Sequence, residues 1–502
     1  MSNSDGSALE QLKARFRRIS GLNHAMTFLG WDQMVMMPDQ GMAQRSESMA
    51  ELAALRHELL ADEAIGELLQ GCENLAPTTE QQAMLREMRL SRDREVCLPA
   101  SLVKAKILAG SKCEHQWRTQ REDNDWPGFL ENFRAVVDLA REEASIRYEQ
   151  GDYRNPYEAL LDLYCTGDSA NRVESVFETL RESVPELVVA VTDRQKKSST
   201  SSYQGDFHIA DQKALNEVLM GKLGFDFSAG RLDVSVHPFS TGDRGDQRIT
   251  TRFTENEFAE ALLGTAHETG HASYEGNLPE AWAGLPLGES RNMCIHESQS
   301  LLFEKQIFLS RSFFSHFYKD IKQAFPKNIG DSPDQLWAEL LSVEPGYIRV
   351  EADEVTYPLH VMLRYEIERD LMNGEMEAEQ VPDAWEEKMQ DYLGLSVDYN
   401  HKIGCMQDIH WTDGSFGYFP SYTMGAVNGA QLFKTIRAEF PDWQSRFSSG
   451  DIGFVREWLN EKIWSQGCFQ TSQQLIKGAT GESTNAAYLL EHLHARYMDA
   501  LY

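Results

Sequence analysis

The sequence predicts an almost all-α protein, a large helical body with a deep groove and a small antiparallel β-sheet beside a helix that carries two histidines. Three observations predict it. Apolar residues recur at helical spacing along most of the chain, as in Phe129, Leu130, Phe133, Val136, Val137 and Ala140. Prolines number only 16 in 502 residues and mostly mark joints between such stretches, as at Pro77, Pro99, Pro279, Pro286 and Pro382. Alternation of apolar and polar residues, the signature of a half-buried strand, occurs at one place, about 230–253.

Taken in order, the periodic stretches cover about 8–29, 43–70, 79–95, 100–122, 155–165, 171–195 and 210–222. A further stretch follows Trp126-Pro127, a helix start. Beyond the middle they continue at about 255–276, 289–325, 334–342, 350–373, 383–395, 429–438, 452–465 and 484–499. Between the two series, Arg231–His237 and Gln247–Phe253 alternate and are separated by Gly242 and Gly245, which reads as an antiparallel hairpin. An exposed strand edge of this kind can pair with an extended peptide. No repeat, low-complexity tract or long linker divides the chain. Residues 1–502 therefore read as one domain, with a helical part over 1–225 and a motif-bearing part over 226–502.

Charge and cysteines narrow the function classes. Lys plus Arg number 48 against 78 Asp plus Glu, a formal charge of −30, which repels phosphate backbones and anionic lipids. No nucleic-acid or membrane partner is expected. The seven cysteines (72, 97, 113, 165, 294, 405, 468) include no C-x-x-C pair and read as buried free thiols. No signal peptide and no run of 18 apolar residues is visible, so the reading is a cytoplasmic protein.

Thr254-Glu255-Asn256-Glu257 has capping-box spacing and predicts a helix start. That helix runs into His267-Glu268-Thr269-Gly270-His271. Histidines four apart stack on one helix face, so both imidazoles reach one metal, and imidazole nitrogen suits zinc. Glu268 lies off the metal but near its water, the place of a general base. Chance supplies about 0.04 such H-E-x-x-H matches in a chain of this composition and length. The alternative is a solvated helix face. A third ligand is needed, and no third histidine follows at metzincin spacing. Glu275, Glu280, Glu289 and Glu297 are the downstream carboxylates. Glu297 is preferred because it sits in a polar cluster, His296–Ser300, on an otherwise apolar second helix; Glu289 comes next.

Together these motifs resemble the carboxypeptidase Taq family of zinc metallocarboxypeptidases. Besides H-E-x-x-H, the family's motifs stand in order at His237-Pro238-Phe239, Asp246-Gln247-Arg248-Ile249-Thr250 and His296-Glu297-Ser298-Gln299. They continue at Ile348-Arg349-Val350-Glu351-Ala352-Asp353 and Gly404-Cys405-Met406-Gln407-Asp408-Ile409-His410-Trp411. Gly30-Trp31-Asp32-Gln33 and Met37-Pro38 resemble the family less specifically. The resemblance implies a zinc site of His267, His271 and Glu297, with Glu268 as catalytic acid/base. It also implies broad specificity for C-terminal residues, a homodimer and peptide substrates with a free C-terminus. Cobalt is a possible substitute for zinc.

Around that site the residues suggest further roles. Tyr418 and Tyr422 are candidate donors to the tetrahedral oxyanion, the alternative being aromatic packing. A planar guanidinium suits the terminal carboxylate, with Arg349 the first choice and Arg248 the second; the alternative for each is a structural ion pair. His237, held extended by Pro238, and His410 are candidate substrate contacts. Asp353 and Asp408 are candidates to orient the ligand imidazoles. Two other functions remain open at this stage: a zinc endo- or dipeptidyl-peptidase, and a non-catalytic helical peptide-binding scaffold.

Overall fold

A computed structural model describes residues 2–73, 77–195 and 203–499. The described residues form twenty α-helices and one three-stranded sheet. Helices start where the sequence supplies a cap. Asp125, Asn155, Asn292, Ser310 and Thr471 each accept a first-turn backbone N–H through their side chains. The same chemistry divides two predicted stretches. Asp62 accepts from the Ala64 N–H at 2.9 Å and separates Met42–Ala61 from Glu63–Glu73. Ser310 likewise ends the run begun at Met293 and caps Arg311–Ala324.

Other boundaries move for physical reasons. The predicted capping box at Thr254 does not start a helix. The Phe207 N–H donates to the Glu255 carbonyl at 2.5 Å and Gln212 donates to the Thr254 carbonyl at 2.7 Å, which holds that backbone extended. The helix begins at Ala259, whose N–H is met by the Glu257 carboxylate at 2.6 Å. The predicted stretch 350–373 is helical only over Tyr357–Met372, because Asp353 accepts the Val355 and Thr356 N–H groups, each at 2.9 Å. Pro420–Glu439 starts well before the predicted 429–438, since its first half carries glycine, serine and threonine in place of an apolar stripe.

The sheet also differs from the predicted antiparallel hairpin. Its strands are β1 (Gly230–Val234), β2 (Phe239–Asp243) and β3 (Asp246–Thr251), in the order β1-β3-β2. The two segments expected to pair antiparallel, β1 and β3, run parallel, and β2 forms the antiparallel hairpin with β3. The alternation was sound, but a second reversal lies inside the segment. The chain turns once at Val236–Pro238 and again around Gly245, which has φ of 86°. Thr250 pins the first corner, its hydroxyl accepting from Ser235 Oγ at 2.7 Å and from the Phe239 N–H at 3.0 Å.

Burial follows two apolar clusters. The larger contains side chains from Cys113 to Tyr497 and so spans both parts of the chain. A smaller one joins Leu12, Phe16, Leu60, Leu69 and Met88 of the first four helices to Leu285, Leu287 and Cys468. The cysteines depart from expectation at one pair. Cys165 and Cys294 form a disulfide with Cα atoms 5.7 Å apart and 129 residues between them, a pairing that no local spacing announces. The other five are free.

Candidate active site

Two helices and their crossing build the site. Ala259–Gly276 presents His267 and His271 on one face, their ring centroids 4.9 Å apart. Met293–Leu301 brings Glu297 against that face. His267 Nε2 lies 3.6 Å from Glu297 Oε1, and His271 Nε2 lies 3.5 Å from Glu297 Oε2. One ligand atom from each of the three lies within 4.8 Å of the others. Glycines permit this approach. A Cβ at Gly270 would stand 2.5 Å from the Gln299 carbonyl oxygen, and one at Gly425 of Pro420–Glu439 would stand 2.6 Å from the Glu297 Cβ. Gly425→Ala is therefore expected to destabilise the fold by about 1–3 kcal/mol in denaturant unfolding, as overpacking does. Gly264→Ala on the open face of the 259–276 helix, where nothing lies within 4 Å, is expected to cost nothing and serves as control.

The remaining polar residues of the His296–Ser300 cluster divide by task. Gln299 accepts from the Trp464 indole N–H at 2.9 Å, while Ser298 and Ser300 donate to carbonyls of their own helix. His296 packs on His271, with the two Nδ1 atoms 2.6 Å apart, and its Nε2 meets Glu275 at 2.8 Å. The helix then widens into a π-helical turn, Leu302–Phe308, which carries Glu304 to 3.0 Å from His267 Nδ1. Such turns recur at functional sites. Glu304 was not anticipated, although its place seven residues after Glu297 puts both on one helix face. Its other oxygen is held by Lys305 at 2.5 Å.

These neighbours set the protonation of the site. Burial pushes the Glu268 carboxyl up to about 7, with Glu297 and Glu304 adding to the rise and His267 opposing it. Burial disfavours the imidazolium of both histidines, yet their neighbours differ. Glu297, Glu304 and Glu268 raise His267 to about 9, whereas His296 helps to lower His271 to about 4. Metal capture at neutral pH thus displaces a proton from His267, while His271 offers a neutral ring.

A second cluster carries the aromatic and basic candidates. Arg349 is buried, donating through Nε to Asp408 Oδ1 at 2.9 Å and through a terminal nitrogen to the Tyr357 hydroxyl at 2.7 Å. Asp408 Oδ2 accepts from the buried Arg364 at 2.6 Å. Burial would raise the Asp408 carboxyl, but Arg364 and Arg349 together hold it well below the usual range. The Arg349 guanidinium lies 5.0 Å from the Tyr422 ring. His410 Nε2 contacts the Tyr422 hydroxyl at 3.2 Å, and burial, followed by Arg349, lowers that imidazole to about 4. Burial lifts Tyr418 and Tyr422 above the ordinary phenol range, so both remain O–H donors, and both sense the Glu297 charge. Tyr357 senses it too, and is a third phenol that sequence reading passed over.

Other sequence candidates lie elsewhere. Arg248 forks onto Asp246 at 2.5 and 3.0 Å and stacks 4.4 Å from the Trp31 ring, tying the sheet to the N-terminal helix. Asp353 caps the 357–372 helix, and Asp408 holds two arginines. The groups that meet the imidazole Nδ1 atoms are Glu304 and His296, which corrects the expectation for both aspartates. His237 stands exposed at the corner between β1 and β2.

A helical body with a buried His-His-Glu trio and a carboxylate beside it on the histidine helix defines a metallopeptidase class. Residues 11–497 match the family model of the carboxypeptidase Taq (M32) metallopeptidases. The chain is similar to carboxypeptidase 1 of Bacillus subtilis, 35% identical over 487 residues and 96% of each chain. It is likewise similar to thermostable carboxypeptidase 1 of Thermus thermophilus, 36% identical over 484 residues and 94% of each. In three dimensions it resembles metallocarboxypeptidase 1 of Trypanosoma cruzi, with a TM-score of 0.96 and 39% identity over 98% of this chain and 100% of that one. The chain belongs to the carboxypeptidase Taq family and is a metallocarboxypeptidase.

Proposed function

We propose that the protein is a zinc-dependent exopeptidase that releases amino acids one at a time from peptide C-termini, with broad specificity for the residue removed. The observation that carries this is the convergence of His267, His271 and Glu297, a nitrogen, nitrogen and oxygen donor set suited to zinc. Zinc held there supplies Lewis acidity and a water of lowered pKa. Glu268 takes the proton from that water and passes it to the leaving amine; a carboxyl tuned to about 7 is suited to both directions. Tyr418 and Tyr422 donate to the oxygen on which negative charge develops.

Arg349 reads the terminal carboxylate. A guanidinium has five N–H groups, more than its contacts to Asp408 and Tyr357 use. Truncation to alanine is expected to lower kcat/KM for free peptides by about 2–5 kcal/mol, the cost of cutting a buried charge pair on one side. The test compares a peptide with its C-terminal amide, by mass spectrometry of the products, in wild type and Arg349→Ala. Wild type should strongly prefer the free acid and the mutant should lose that preference. An unchanged preference makes Arg349 structural, and equal cleavage of the amide by wild type defeats the exopeptidase reading.

Residues 1–502 act as one catalytic unit in this proposal, supported by the larger apolar cluster that crosses from the 1–225 part into the 226–502 part. Among the described residues no helix is long and apolar enough to cross a membrane. The family resemblance supports a homodimer, and the sequence reading a cytoplasmic location without nucleic-acid or membrane partners.

A further inference from the structure

We infer that His296 and Glu275 are positioning residues that fix the tautomer of His271 through a hydrogen-bond chain ending on a carboxylate. The inference rests on the metal-site reading above and deepens it. The two Nδ1 atoms of His271 and His296 lie 2.6 Å apart, and His296 Nε2 lies 2.8 Å from Glu275 Oε1. Two N–H groups, or two lone pairs, facing each other at that distance would repel, so one proton lies between the rings. Its owner follows from the far end of the chain. An ionised carboxylate only accepts, so the proton of the neutral His296 ring sits on Nε2 and its Nδ1 becomes the acceptor. His271 must then carry its proton on Nδ1. That leaves its Nε2 with a bare lone pair, the nitrogen that stands 3.5 Å from Glu297 Oε2.

The other histidine is oriented differently. Glu304 meets His267 Nδ1 directly, with no ring between them. The two imidazoles of the trio thus share one strategy, a carboxylate behind the ring, but His296 extends the connection to His271 by one residue. Both members of the extension are mostly buried, their side chains 15% and 24% exposed, so water competes little for the contacts.

Zinc itself is the probe, with affinity measured by chelator competition on the full chain and unfolding followed on the metal-free protein. His296→Leu fills similar space without an acceptor. It is expected to weaken zinc binding about 10–100-fold, the range for partners behind metal ligands. His296→Gln, whose amide can accept from His271 and donate to Glu275, should recover most of that loss, which a purely structural role does not predict. Glu275→Gln keeps a hydrogen bond without the charge and should lose less than His296→Leu. The inference fails if His296→Leu binds zinc as wild type does, or if His296→Gln is no better than His296→Leu. Should His296→Leu not fold, nitrogen-15 spectra of histidine-labelled, metal-free wild type decide. Protons on His271 Nδ1 and His296 Nε2 are expected, and a proton on His271 Nε2 overturns the chain. Failure of the metal-site reading looks different: wild type would not bind zinc, or His271→Ala would bind it unchanged.

Discussion

Replacing Glu268 with glutamine is expected to leave a folded, zinc-loaded protein whose turnover falls by roughly 10²–10⁴, the range for a lost general acid–base group. The amide matches the carboxylate in shape, and Glu268 is not part of the trio of candidate ligands. What disappears is the ability to take a proton from water and return it to the departing amine. The side chain is 7% exposed and its carboxyl is poised near neutrality, so no solvent base stands ready in its place. Parallel measurement of kcat and of zinc per chain checks both halves of the expectation. A kcat near that of wild type removes Glu268 from the mechanism, and a loss of zinc moves its role to ligation.

Removing Glu297 has a different signature, because metal and activity are expected to go together. Two imidazoles leave the site short of the three protein ligands of a catalytic zinc. Zinc affinity in Glu297→Ala should fall by more than about 100-fold, since even partners behind the ligands cost about 10–100-fold. A second effect adds to the first. Glu297 is the strongest of the charges that raise His267, so the mutant histidine loses its main counter-ion inside a buried site. Chelator competition and residual peptidase activity, taken on one preparation, test the prediction. Stoichiometric zinc in the mutant transfers the third ligand to another carboxylate, with Glu289 the first to examine.

How far the sequence led depended on how local each feature was. Two histidines four apart, with a glutamate between them, lie on one helix turn, so their placement needs no tertiary knowledge. Helices followed from apolar spacing wherever one face packs on a core. Pro420–Glu439 broke that rule, because its first half packs through Gly425 against Glu297 and has no apolar stripe to read. Pairings across long separations were not legible. The order β1-β3-β2 depends on a second reversal hidden inside an alternating segment. The Cys165–Cys294 bridge joins residues from opposite halves of the chain. Glu304 left a signal in its seven-residue offset from Glu297, but only the π-helical turn makes that offset meaningful. Arg364 left none: it lies outside the quoted motifs and matters because the fold brings it to Asp408.

That meeting leaves a charge imbalance. Arg349 and Arg364, both buried, share the single carboxylate of Asp408, while burial keeps the neighbouring His410 neutral at physiological pH. Two cations against one anion leave an excess positive charge away from water, which proteins tolerate only at a cost in free energy. In a chain with a formal charge of −30, the local field at this cluster therefore opposes that of the surface around it. An incoming anion is repelled at a distance and welcomed at contact. The folded protein is electrostatically incomplete at this point, and a peptide's terminal carboxylate supplies the missing charge.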